Sequence, residues 1–154
     1  MDFQNFQNIS LNHYIFHKDC QKLYKENGLS TFGFRQADGS GLSRKDHVSP
    51  TFFCNYYNMM AKSEVFPEFF LSLPVPGHGG TLKSVLKDEP AKLKERIHAK
   101  SGSLGGVKCY AGYVQAGKKN GLIRFAILTN NYCYPTSAVQ PKIEGFMKAL
   151  AQED

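Results

Sequence analysis

The sequence predicts an α+β domain, because helical spacing of apolar residues fills the first half, three alternating or apolar strand-like segments follow, and helical spacing returns at the C-terminus. Antiparallel strands covered by helices, including a C-terminal helix, are the expected architecture. With 154 residues, 42% of them hydrophobic and 21% charged, the chain can bury a core of its own. That balance excludes a disordered or collagen-like chain.

Residues 1–8 are polar and aromatic without a period and read as a terminal arm, leaving 9–154 as a single domain. Ile9, Phe16, Cys20, Leu23 and Tyr24 share one helical face, and Asn27-Gly28 supplies a left-handed stop, so a first helix is expected over about 10–27. Residues 32–37 read as a short strand, and the glycine-rich DGSGLSR at 38–44 as a loop. Ser49-Pro50 offers a cap hydroxyl and a proline that lacks only an orphan donor, which starts a second helix with Phe52, Tyr56, Met59 and Met60 as its buried stripe. A short helix over 67–72 precedes the turn chemistry of LPVPGHGG. Residues 81–94 are lysine-rich, with Leu82, Val85 and Leu86 as apolar anchors, and predict one irregular helical turn. The period then becomes two over 97–101, 107–115 and 122–130, and GKKNG at 117–121 joins the last two as a hairpin. Pro141 opens a final helix in which Ile143, Phe146, Met147 and Leu150 pack.

The net charge of +6 is spread out, with Lys92, Lys94, Arg96 and Lys100 as the densest group, so no nucleic-acid partner is assigned. No apolar run approaches the roughly 20 residues of a membrane span. The N-terminus shows no basic cluster followed by an apolar core, so no signal peptide is read. Cys20, Cys54, Cys109 and Cys133 lack the short spacing of a zinc site and read as reduced, mostly buried thiols. His13 and His17 stand one helical turn apart, yet Tyr14 occupies the place of the glutamate such a metal motif carries, and no metal is assigned. His78 reads as a loop residue, and the Phe and Tyr pairs at 52–53, 56–57 and 69–70 as core or interface aromatics.

Two segments carry a resemblance. DGSGLSRKDHVSP (38–50) and HAKSGSLGGVKCYAGYV (98–114), supported by GGTLKSVL, RFAILTNNY and the closing helix, resemble the C-terminal part of the class C low-molecular-mass penicillin-binding proteins, which are D-alanyl-D-alanine carboxypeptidases and endopeptidases. The resemblance covers roughly residues 20–150 and implies part of the penicillin-binding, serine β-lactamase-like transpeptidase fold.

A serine peptidase must activate a hydroxyl, hold an oxyanion and bind the substrate's terminal carboxylate. The resemblance gives the last task to Lys100, Ser101 and Gly102: an ammonium and a hydroxyl on an edge strand, and a glycine that leaves room for the substrate. It makes the Ser103 backbone N–H an oxyanion donor. Ser101 stands where the family more often has threonine, and Asp46 where it more often has asparagine. The Asp38–Ser43 loop reads as structural rather than catalytic. The nucleophile belongs in a Ser-x-x-Lys motif far upstream of this loop, and nothing precedes Met1 to supply it. Ser84-Val85-Leu86-Lys87 has the letters, but eleven serines and fifteen lysines produce about one such pair by chance. Ser10-Leu11-Asn12 has the letters of the family's Ser-x-Asn motif and is read more simply as a helix cap.

The sequence therefore predicts a portion of a serine-type D-Ala-D-Ala peptidase that is inactive alone. The complete enzyme would act on peptidoglycan stem peptides and take β-lactams, need no cofactor, and work in the periplasm or cell envelope. The alternative is a non-catalytic module that binds peptidoglycan or a protein. An exposed sheet edge predicts a homodimer or another form of edge cover.

Overall fold

The computed structural model describes residues 13–117 and 121–153, with the side chains of 13–17 outside the description. The arm, Ser10-Leu11-Asn12, the His13 and His17 side chains and the centre of the 117–121 turn therefore lie outside the described residues. The chain divides into two compact units, one up to Phe52 and one from Phe53 onward.

In the first unit, helix α1 (His13–Glu26) stops as its sequence requires. Gly28 takes φ 75°, and the Leu29 N–H donates to Tyr24 O at 2.9 Å, closing the turn over a buried Leu29. Leu23, expected inside, is 56% exposed, while Tyr24 meets Phe34 and Phe52 edge-on. The strand expected at 32–37 is only a bridge: Arg35 and His47 exchange two backbone bonds of 2.8 Å, and Gly33 at φ 69° breaks the extension. The loop at 38–44 is self-bonded, with Asp38 accepting from the Gly41 N–H at 2.7 Å and the Ser40 hydroxyl at 3.1 Å. Desolvation raises the Asp38 pKa, but these bonds outweigh it and hold the carboxyl below its ordinary value. Asp46 accepts from the Ala37 N–H at 2.6 Å, a bond that asparagine's carbonyl could also make.

Helix α2 (Pro50–Met60) opens where Ser49-Pro50 predicts, the Ser49 hydroxyl accepting from the Phe52 N–H at 3.1 Å. Its most buried residue is Tyr57, which the helical stripe of Tyr56, Met59 and Met60 passes over. Helix α3 (Phe66–Ser72) has a proline in its first turn, and the 3-10 turn Gly80–Leu82 and helix α4 (Ala91–Lys94) bracket turns that bury Leu82, Val85 and Leu86.

Strands β1 (Ile97–Leu104), β2 (Val107–Gln115) and β3 (Leu122–Asn130) form an antiparallel sheet in the order β1-β2-β3. β1 runs three residues beyond its sequence-read end, because the Gly105-Gly106 turn lets Leu104 pair with Val107. One face, with Ile97, Tyr110, Val114 and Phe125, packs on helix α5 (Thr136–Gln152). The other, centred on Tyr113, packs on the aromatics of α2 and α3. There Tyr113 donates to Tyr57 O at 2.7 Å and Tyr57 to Ala111 O at 3.1 Å, and burial pushes the Tyr57 phenol up to about 12.

Helix α5 begins five residues before Pro141, with Pro135 as its flanking residue at φ −56°. The proline lies inside the helix because the apolar stripe reaches back to Val139, one turn before Ile143, and the packing outweighs a lost backbone bond. Ile143 and Met147 are buried as expected, whereas Phe146, expected in the core, is 51% exposed and Ala151 is buried in its place. Arg96 donates to Ala151 O at 2.8 Å and closes the helix C-terminus. The thiols are free but less buried than expected, three half-buried and Cys133 exposed.

Candidate active-site strand

β1 carries Lys100, Ser101, Gly102 and Ser103, and among the described residues it pairs only with β2, so these four residues lie on a sheet edge. The alternation of a strand then decides which groups face outward. The Ala99 N–H turns away from β2 and donates to Pro74 O at 2.9 Å, so the turn after α3 covers the edge as far as Ala99. With a period of two, the Ser101 and Ser103 amides point the same way. Neither is met by an acceptor among the described residues.

Side chains alternate as well. Lys100 and Gly102 share a face with His98, above the α2–α3 aromatics, whereas Ser101 and Ser103 share a face with Ala99 and Tyr110. The exposed Lys100 Nζ donates to Ser101 O at 2.6 Å, which brings the ammonium back to the edge. Beneath it His98 stacks on Phe70 with ring centroids 3.9 Å apart, and burial holds the imidazole below its ordinary pKa, hence neutral. At Gly102 a methyl group would meet only Cys109 Cβ, at 3.7 Å. The fold therefore has no need of a glycine there, and the missing side chain leaves open space over the edge. Gly112 is the opposite case: a Cβ would collide with His98 O and lie 2.7 Å from Ala99 Cα, so β2 approaches β1 closely just before the motif.

The remaining candidates are placed elsewhere. Ser84 and Lys87 lie in a run of turns, with Leu86 between them at φ 51°, so they are not one α-helical turn apart. His78 is exposed in the turn after α3. Among the described residues, no group of three His, Cys, Asp or Glu could hold a metal, and no helix is long and apolar enough to cross a membrane. One residue that sequence reading passes over is Lys108, whose Nζ donates to the Ser103 hydroxyl at 2.8 Å and lies 5.4 Å from the centre of the Tyr110 ring. The two-residue Gly105-Gly106 turn, which pairs Ser103 with Lys108, was the signal that could have found it.

Comparison with known proteins shows the family of the chain. A D-alanyl-D-alanine carboxypeptidase of Actinomadura sp. (strain R39) is 31% identical over 122 residues, 75% of this chain and 22% of that protein. The penicillin-sensitive carboxypeptidase A of Dictyostelium discoideum is 33% identical over 114 residues, 67% of this chain and 20% of that protein. The chain thus spans about a fifth of the length of these relatives. Penicillin binding protein 4 of Haemophilus influenzae shares the fold, with a TM-score of 0.75 at 24% identity over 86% of this chain and 30% of its own. Its structure in complex with a β-lactam gives the same score over 85% of this chain and 31% of its own. Residues 17–153 match the D-Ala-D-Ala carboxypeptidase 3 (S13) family, and with the helix-covered sheet and its Lys-Ser-Gly edge strand the chain belongs to that family.

Proposed function

We propose that this chain supplies the substrate-binding edge of a serine-type D-Ala-D-Ala peptidase acting on peptidoglycan stem peptides in the cell envelope. The observation that carries the reading is the edge of β1 beyond Ala99, where two outward amides are flanked by two serines on one face of the sheet and by the Lys100 ammonium and an unneeded glycine on the other. Such an edge suits an extended peptide ending in a carboxylate. Backbone groups pair along the strand, Lys100 and the Ser101 hydroxyl take the terminal carboxylate, and the Ser103 N–H faces the carbonyl that becomes an oxyanion. The hydrolytic serine is not Ser84, because a base must sit within hydrogen-bond reach of its nucleophile and Lys87 is separated from it by a left-handed residue. In this reading the chain binds the substrate terminus and does not itself become acylated.

Intact mass after incubation with a penicillin tests the second half: the mass stays unchanged, and an adduct mapped to Ser84 would refute it. Gly102→Ala tests the first. The fold accommodates the methyl group, so the urea midpoint stays while binding of N-acetyl-D-Ala-D-Ala weakens. Equal binding by the variant would remove the edge from the site. Both outer strands, β1 and β3, pair only with β2 among the described residues, which supports self-association through an edge.

A further inference from the structure

We infer that Lys108 is a positioning residue of this edge, acting through the Ser103 hydroxyl to raise its affinity for a peptide's terminal carboxylate; the inference rests on the reading of β1 as a carboxylate-binding strand. Lys108 and Ser103 face each other across the β1–β2 hairpin, and the bond between them is 2.8 Å long. An ammonium can only donate, so the serine oxygen is the acceptor and its own proton stays available for another partner. A bond received from a cation also polarises the hydroxyl, which makes it the better donor toward an anion.

The lysine is held in place. Its Nζ lies 5.4 Å from the centroid of Tyr110, a ring only 1% exposed. The Tyr110 hydroxyl is within 3.1 Å of Gln140 Oε1 and 2.9 Å of Gln140 Nε2 on α5. Gln140 Nε2 donates in turn to Glu144 Oε1 at 2.6 Å, and Glu144 Oε2 accepts from the Leu86 N–H at 3.1 Å. A hydrogen-bonded run from Leu86 through Glu144 and Gln140 thus fixes the Tyr110 ring, and the Lys108 ammonium lies over that ring while it donates to the Ser103 hydroxyl.

No carboxylate among the described residues neutralises Lys108. The ion pairs among the described residues join Lys22 to Glu26 and Lys148 to Glu89, and none reaches Lys108. Lys100 approaches the edge from one face of the sheet and Lys108 from the other, each bonded to an oxygen of β1 itself. A carboxylate lying between Ser101 and Ser103 meets positive charge from both sides, whereas an amide gains little from either.

The test is a titration of the chain with N-acetyl-D-Ala-D-Ala and with its C-terminal amide, read at the Ser101 and Ser103 backbone amides by nuclear magnetic resonance. Lys108→Met is expected to weaken the acid peptide about tenfold, the scale of one charge-assisted hydrogen bond, and to leave the amide peptide unchanged. Lys108→Arg is expected to keep most of the affinity, and in a Ser103→Ala background Lys108→Met is expected to cost less than about twofold. Unchanged acid binding in Lys108→Met, or equal loss for acid and amide, would overturn the inference. If Lys100→Met abolishes the preference for acid over amide while Lys108→Met does not, the carboxylate strand stands and the role of Lys108 falls. If the unmodified chain shows no such preference, both fall.

Discussion

At Gly112 a single hydrogen atom stands where any side chain would strike the backbone of the neighbouring strand at His98 and Ala99. Backbone cannot swing aside as a flexible side chain can. Gly112→Ala is therefore expected to destabilise the fold by about 3 kcal/mol, the upper end for overpacking, as a lowered urea midpoint. His98 gives a pH signature. Burial beside Phe70 lowers its pKa from the ordinary 6.5, so the fold prefers the neutral ring and the unfolded chain takes up the proton first as pH falls. Its contribution is complete above pH 6.5, declines below it, and levels off once the folded ring is also protonated. Urea midpoints across that range should lose this step in His98→Gln; an unchanged profile would place the dependence elsewhere.

At the scale of elements, α5 shows what packing overrides. It keeps Pro141 inside and begins at Thr136 because Val139 extends the stripe that Ile143, Met147 and Ala151 bury. The same helix carries Gly145 on its exposed side, where a Cβ would touch nothing. Gly145→Ala is expected to stabilise the protein by about 0.5–1 kcal/mol through helix propensity and a less flexible unfolded chain, measured as a raised melting temperature. β2 and β3 were legible to the residue because an alternating or apolar run between glycines and polar turns has few other outcomes. The segment at 32–37 misled because Phe34 turns to Tyr24 and Phe52 while Phe32 is exposed, and among the described residues only the Arg35–His47 bridge pairs with it. Phe146 and Leu23 misled because helical spacing marks a stripe without saying which of its margins the sheet or a neighbouring ring will cover.

At the scale of the whole molecule, the helix-covered antiparallel sheet and the family were legible from two long motifs. What could not be read was the set of partnerships made across the fold. Tyr57 and Tyr113 bond each other's segments over more than fifty residues of sequence, and Tyr110 reaches Gln140 over thirty. Periodicity reports the face a residue occupies, and bonds of that range depend on how the faces are brought together. The two strands without an outer neighbour among the described residues carry a prediction of their own. Light scattering across a concentration series should show mass rising above that of the 17.3 kDa chain as edges pair, and a constant monomer mass at high concentration would mean the edges are protected.

The alternation along β1 has an evolutionary consequence. Because Ala99, Ser101 and Ser103 turn their amides outward only by parity, inserting one residue between Ala99 and Lys100 would rotate the row inward and exchange the two faces. A single-residue insertion or deletion in this stretch keeps the row outward only where a bulge absorbs it, and the two-residue Gly105-Gly106 turn, which sets the register of β1 against β2, is held to its length by the same row.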